Sequence, residues 1–351
     1  MAELFLDGSK LIHHLPKVNK WSKGEQVAPI HAEVSPTSGC NQRCNLCYVD
    51  YLGHKAGLLP EKVMVDMIDD FAELGVKSVL LAGEGEPTVN RGIIPMIQRA
   101  QEKGVDMALN SNAVLFDEKM SAATLAGLEW CRFTFQASNK ELYNEIHMGG
   151  KNDFDKAIKN VAAAAKYKKE NNLKVTLGIQ QILINENYRD VLECAKLAKE
   201  LGVDYYVVKR FSKHPKNDYD VPEDLWHHST DLFDEAEKLS TDDFKVLVRW
   251  NNFTQDCNRT YRKCIGTPFI TQILADGGVY PCSQFFKDPN YIYGNLNEKS
   301  FKEIIFSDKA KEVTKLIEKV DVTKCISYCR HHETNIFLTN VVSDKMHKNF
   351  V

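Results

Sequence analysis

Residues 31–47 read HAEVSPTSGCNQRCNLC, and residues 77–90 read KSVLLAGEGEPTVN. Each opens with a short apolar run of strand composition and ends in a polar loop. Between them, EKVMVDMIDDFAELG has the period of an amphipathic helix. The same unit repeats along the chain. Further strand candidates are VDMALNSN (105–112), WCRFTFQAS (130–138), KVTLGIQQI (174–182) and YYVVKRF (205–211). IIPMIQRAQEKG, FDEKMSAATLAG, FDKAIKNVAAAAKYKK and YRDVLECAKLAKELG supply helices between them, several closing on a glycine suited to a left-handed cap. Strands too apolar to be half exposed, in six βα units, predict an α/β protein with a parallel sheet covered by helices. The sheet is either a curved partial barrel or an open doubly wound one. In both, ligands gather at the C-terminal ends of the strands. The polar tails fall there: Glu84 and Glu86, Asn110 and Asn112, Gln136 and Ser138, Gln180 and Gln181, Lys209 and Arg210.

After residue 212 the pattern changes to a polar linker, KHPKNDYDVPED, one helix, a strand-like FKVLVRW, and then loops and hairpins with most of the remaining cysteines. A domain boundary is expected near 240. The 351 residues, 43% hydrophobic, suffice for one large domain and a smaller one. Basic and acidic residues, 45 and 48, mix throughout for a formal net charge of −3. Such a chain has no field to recruit nucleic acid or an anionic membrane, so neither is an expected partner. The start, MAELFLDGSKLIHHLPK, lacks the basic and apolar regions of a signal peptide, and no later segment approaches a membrane span; a cytoplasmic location is expected. In a reducing compartment, ten unevenly clustered cysteines point to metal rather than to disulfides.

Cys40, Cys44 and Cys47 follow the first strand with spacing C-x3-C-x2-C. Three thiolates can hold three irons of a [4Fe–4S] cube and leave the fourth open. Zinc is the alternative reading, but a structural zinc site wants four ligands and no fourth Cys or His lies nearby. This loop after strand one, followed by LAGEGEPTVN after strand two, resembles the signature of the radical S-adenosylmethionine (radical SAM) superfamily. The resemblance implies a partial (β/α)6 parallel barrel over residues 30–240, preceded by an extension at 1–29. It also implies that S-adenosylmethionine chelates the open iron and is cleaved reductively to a 5′-deoxyadenosyl radical that abstracts a substrate hydrogen. The family's GGEP motif corresponds to Glu84-Gly85-Glu86-Pro87, with Glu in place of the first Gly, and implies cosubstrate contacts there, Glu86 accepting from the cationic amino group. Asn112 resembles the polar residue that meets the methionine or ribose portion, with Gln136 and Gln180 as further ribose candidates. Leu46 stands where the family often has an aromatic near adenine; the adjacent Tyr48 compensates or simply packs the loop.

The second group is Cys264, Cys282, Cys325 and Cys329. Cys264-x12-Gly277-x4-Cys282 contains ADGGVYP, which reads as a hairpin bringing both thiols to one end. It resembles the Cys…Gly…Cys element of the SPASM and twitch extensions. A full SPASM complement needs more cysteines than are present, so the resemblance implies a smaller, twitch-like α+β domain over 241–351 with one auxiliary [4Fe–4S] cluster, making two clusters in all. A zinc ribbon is the alternative, though C-x3-C is unusual for zinc. Cys131 and Cys194 read as core. Cys257, in the polar NNFTQDCNRTYRKC, is a candidate hydrogen donor or ligand, and His331 and His332 read as a solvated tail.

Three reactions fit. A radical oxidoreductase would act on a small polar, even carbohydrate-like, substrate contacted by Lys209, with the auxiliary cluster accepting an electron. An epimerase would need a thiol donor such as Cys257. A peptide or protein maturase is a third, but the 39 residues before Cys40 are few for the recognition module such enzymes commonly carry. A small-molecule substrate is therefore expected, together with an electron donor such as flavodoxin or ferredoxin.

Overall fold

The computed structural model describes residues 9–254, 259–326 and 328–343. All six expected strands form: β1 (His31–Val34), β2 (Ser78–Leu81), β3 (Asp106–Ser111), β4 (Trp130–Thr134), β5 (Thr176–Leu183) and β6 (Tyr205–Arg210). The strand-like segment at the end of the linker forms β7 (Lys245–Val248), and three strands follow, β8 (Ile270–Ile273), β9 (Gly278–Tyr280) and β10 (Gly294–Asn295). One sheet contains all ten, in the order β10-β9-β8-β1-β2-β3-β4-β5-β6-β7, and it does not close.

Strands β1 to β7 are parallel, and β8 pairs parallel with β1 before turning back antiparallel into β9. Two pairings go beyond the sequence reading. β7 lies beyond the boundary expected near 240 yet pairs with β6 through Tyr205↔Lys245 to Val208↔Val248. The cysteine-bearing C-terminal segment extends the barrel sheet from its β1 edge. Backbone pairing across an open parallel edge satisfies donors that would otherwise be exposed, and hydrophobicity patterns carry no information about that partner.

The helices are α1 (Leu15–Ser22), α2 (Glu61–Leu74), α3 (Ile93–Lys103), α4 (Glu118–Thr124), α5 (Lys140–His147), α6 (Asp153–Glu170), α7 (Val191–Glu200), α8 (Thr230–Glu237), α9 (Trp250–Thr254), α10 (Phe301–Ile305), α11 (Asp308–Ile317) and α12 (His332–Val342). Helix α2 buries Met64, Met67, Ile68 and Phe71, the i, i+3, i+4, i+7 stripe of a surface helix on a sheet. Phe301 of α10 packs edge-on against Phe71 at 4.6 Å, tying the C-terminal segment to the barrel's helical shell. Burying a side chain of that size is worth roughly 1.5–3 kcal/mol.

Strand alternation separates shell from lumen. On β4, Cys131 and Phe133 are fully buried in the shell while Arg132 and Thr134 are only half-buried on the other face. Cys131 and, on α7, Cys194 are core residues, as the sequence predicts. Among the described residues no helix is long and apolar enough to cross a membrane.

Candidate active site

A cavity of about 450 Å³ opens at the C-terminal ends of the strands, and both cysteine groups line it. The first group sits in the loop after β1, whose backbone is clamped from two sides. The amides of Arg43 and Asn45 donate to the carbonyls of His147 (3.1 Å) and Ile146 (3.0 Å) at the end of α5, and the amide of Glu86 donates to Gly39 O at 3.0 Å. This second clamp requires glycine. A Cβ on Gly85 would lie 2.1 Å from Gly39 O, and Gly83, at φ +124°, would drive one into Ser35 Oγ at 1.8 Å.

The GEGEP residues divide by role. Gly85, Glu86 and Pro87 line the cavity. Glu86 is a buried hub: its carboxylate accepts from Thr88 N and Oγ1, Ser111 Oγ and Asn112 N, so it holds the ends of β2 and β3 in register. Burial raises its pKa, opposed by those four donors. Glu84 does not line the cavity, contrary to its expected role at the cosubstrate. Its carboxylate accepts from Ala275 N at 2.8 Å, on the turn between β8 and β9, where it struts the barrel against the C-terminal segment.

Asn112 lines the cavity and donates to Asn41 Oδ1 (2.8 Å) in the cysteine loop. Gln136 lines it too, while its Oε1 accepts from Ile182 N at 2.8 Å. Gln180 does not reach it: its amide oxygen is taken by Arg132 at 2.9 Å, one layer deeper in the barrel. Tyr48 lines the cavity, and its hydroxyl bonds Ser283 Oγ (2.6 Å), next to Cys282. Asn110 adds a buried Oδ1 with no hydrogen-bond partner among the described residues.

Sequence reasoning missed His147. Buried and neutral, its pKa lowered to about 3 by burial, it accepts from Gln136 N through Nε2 (3.2 Å). The proton therefore sits on Nδ1, which faces Gln42 Oε1 (3.0 Å) and the Cys44 sulfur (3.4 Å). Asn139, whose side chain caps α5 by accepting from Leu142 N, marks the start of the helix that carries His147 but not its place beside Cys44.

In the second group, the β8–β9 hairpin forms as expected, and Cys264, Cys282, Cys325 and Cys329 all line the cavity. They are close enough that the other three thiols each help raise the pKa of Cys282, after burial itself. Asn335 of α12 donates to the Cys264 sulfur at 3.4 Å. His331 and His332 are no solvated tail: His331 is 2% exposed and lines the cavity, and His332 begins α12. Lys209 also lines the cavity, whereas its neighbour Arg210 bonds the Tyr328 hydroxyl at 2.7 Å. Cys257 lies outside the described residues.

The profile of the Radical SAM superfamily matches residues 34–182, and that of the SPASM iron–sulfur cluster-binding domain matches residues 264–331. The chain is a radical SAM enzyme with a C-terminal SPASM domain. Among its relatives, the tungsten-containing aldehyde ferredoxin oxidoreductase cofactor-modifying protein of Pyrococcus furiosus is 24% identical over 296 residues, covering 78% of this chain and 80% of that protein. The GTP 3′,8-cyclase of Aquifex aeolicus is 29% identical over 306 residues, covering 81% and 90%. The fold is shared with Streptococcus suis SuiB, solved with S-adenosylmethionine bound, at a TM-score of 0.65 and 18% identity over 87% of this chain and 72% of that one.

The radical SAM assignment suits the donor set. Burial pushes the Cys47 thiol up to about 11 and Cys329 up to about 12, so these sulfurs become thiolates only when a bound cation compensates their desolvation. The unpartnered Asn110 oxygen, at a strand end beside the Gly85-Glu86 loop, suits a donor on a bound cosubstrate. For Glu84, the geometry predicts that Glu84→Ala leaves S-adenosylmethionine affinity unchanged in equilibrium binding. Denaturant melts of the same protein should show a loss of about 1–3 kcal/mol, the cost of a buried amide left without its acceptor.

Proposed function

We propose that this radical SAM enzyme is an oxidoreductase acting on a small polar substrate, with a first [4Fe–4S] cluster on Cys40, Cys44 and Cys47. A second cluster, on Cys264, Cys282, Cys325 and Cys329, serves as electron acceptor. The observation that carries this reading is that one cavity is lined by both cysteine groups and by Lys209. When bound, the first cluster and S-adenosylmethionine supply a 5′-deoxyadenosyl radical able to take hydrogen from an unactivated carbon. The chain's own part is to position the reactants: Gly85, Pro87 and Asn112 form the cosubstrate wall, Glu86 fixes the ends of β2 and β3 behind it, and Lys209 faces the substrate. A flavodoxin- or ferredoxin-like donor would deliver the initiating electron. A relative named for acting on GTP agrees with a small polar substrate.

Peptide modification is a second reading, favoured by the likeness to SuiB bound to its precursor peptide, which spans 98% of this chain at a TM-score of 0.65. Anaerobic reconstitution tests the two-cluster assignment, which requires about eight irons per chain. Incubation with deuterated candidate substrates then tests the reaction. Deuterium in 5′-deoxyadenosine with a product lighter by two hydrogens supports dehydrogenation. A product that has exchanged the abstracted deuterium for one hydrogen, with no net loss of hydrogen atoms, supports epimerisation, and label arriving only from peptides supports maturation.

A further inference from the structure

Among the described residues, cations outnumber carboxylates at the lumen side of this cavity. Lys209 on β6 and Arg330, next to Cys329, line the cavity, and Arg132 on β4 lies in the layer below. Among the described residues Glu33 is the carboxylate that acts on Lys209. Glu33 on β1 also lines the cavity, but its two oxygens are already held by Arg330 (2.5 Å) and Gln272 (2.5 Å). Arg132 has only neutral partners among its hydrogen bonds, Tyr205 Oη (3.1 Å) and Gln180 Oε1 (2.9 Å), and the Lys209 ammonium has no hydrogen-bond partner among the described residues. The crowding registers on Lys209, whose pKa is lowered to about 7, first by burial and then by Arg132, Arg249 and Arg330.

The cosubstrate does not account for this charge, and although clusters held by thiolates are net anionic, the cations that act most on the cysteines are others. The guanidinium that acts on Cys40 and Cys47 is that of Arg43, and the one acting on Cys264, Cys325 and Cys329 is that of Arg259. S-adenosylmethionine carries a sulfonium and an ammonium against one carboxylate, so it brings net positive charge. Lys209 and Arg132 are half-buried, and cations so placed gain by pairing with an anion that enters with the ligand.

We propose that the lumen binds the substrate through an anionic oxygen group, a carboxylate or a phosphate, held by Lys209 and Arg330, which line the cavity, with Arg132 in the layer below. This rests on the reading of the cavity as the substrate site and specifies its chemistry. Ammonium and guanidinium groups donate charge-assisted hydrogen bonds to such oxygens. Placed there, the anion anchors one end of the substrate in the lumen while the other end extends toward the wall formed by Gly85, Pro87 and Asn112.

The test uses the anaerobically reconstituted full chain with S-adenosylmethionine present, titrated calorimetrically with inorganic phosphate and with malonate, the stronger of the two naming the source of the anion. Lys209→Met is expected to weaken binding at least tenfold, Lys209→Arg to retain it, and Glu33→Gln to tighten it severalfold by releasing Arg330. A residue with a merely structural role would not give opposite signs in the Lys209 and Glu33 variants. Equal affinity across all four proteins, or no binding of either anion by the wild type, overturns the proposal. Failure to take up iron or to bind S-adenosylmethionine instead overturns the underlying reading, so the two failures are distinguishable. Should Lys209→Met fail to load iron, the contrast between Lys209→Arg and Glu33→Gln still decides.

Discussion

Cys44→Ala is expected to yield a folded protein with about half its iron, falling from about eight to about four atoms per chain, and with reductive cleavage of S-adenosylmethionine reduced to background. The fold should survive because the cysteine loop is held by its backbone. The amides of Arg43 and Asn45, on either side of Cys44, remain bonded to the carbonyls at the end of α5. The half-buried Cys44 side chain contributes modest packing, and truncating it costs about 1 kcal/mol. The chemical loss is expected because His147 Nδ1, which contacts the Cys44 sulfur, carries a proton fixed by the Gln136 amide at its opposite nitrogen and cannot replace the thiolate. Iron analysis, electron paramagnetic resonance of the reduced protein and assay of 5′-deoxyadenosine check it together. Full iron with undiminished cleavage would remove Cys44 from the site.

Gly85→Ala should abolish the first site by a different route, with every cysteine still present. The new methyl would overlap Gly39 O at 2.1 Å, Gly39 C at 2.7 Å and Thr37 O at 2.8 Å, all of them backbone that cannot rotate away. The loop must retreat, breaking the bond from Glu86 N to Gly39 O and separating the cysteines from the cosubstrate wall. Overpacking of this kind costs about 1–3 kcal/mol. The expected result is a lower denaturation midpoint, loss of S-adenosylmethionine binding and reduced iron at the first site, while the four C-terminal cysteines keep theirs. By comparison, Gly104→Ala sits in open space at the end of α3 and should alter stability alone. Iron retention with wild-type cosubstrate affinity in Gly85→Ala would show that the two loops can separate without functional cost.

The residues divide according to what periodicity can report. Strand and helix positions from β1 to β6 follow from burial on a two- or 3.6-residue period, which is a local property, and their places were legible in the order of the chain. The cysteine spacings were legible for the same reason, since three thiolates within eight residues have few arrangements available. Glu84 and Glu86 show where that information stops. They are two residues apart in one motif, yet Glu86 turns to the ends of β2 and β3 while Glu84 turns to Ala275. Which way each carboxylate points depends on a neighbour distant in sequence.

His147, Arg330 and Glu33 make the same point at the level of function. Nothing in KELYNEIH announces a histidine beside Cys44, because the contact spans 103 positions and exists only once α5 packs under the cysteine loop. The pairing of β8 with β1 likewise arises from an open sheet edge, and it carries the loop of Cys325 and Cys329 into the barrel, where Arg330 meets Glu33. The sequence by itself determined that CNQRCNLC and GEGEP lie at the ends of consecutive strands in an α/β protein and that a second cysteine group follows in the C-terminal region. Only the tertiary structure decided that both groups face one cavity and that Lys209 lines it with no hydrogen-bond partner among the described residues. Spacing is written in covalent order, whereas charge balance and hydrogen-bond partnership are sums over groups the chain brings together from far apart.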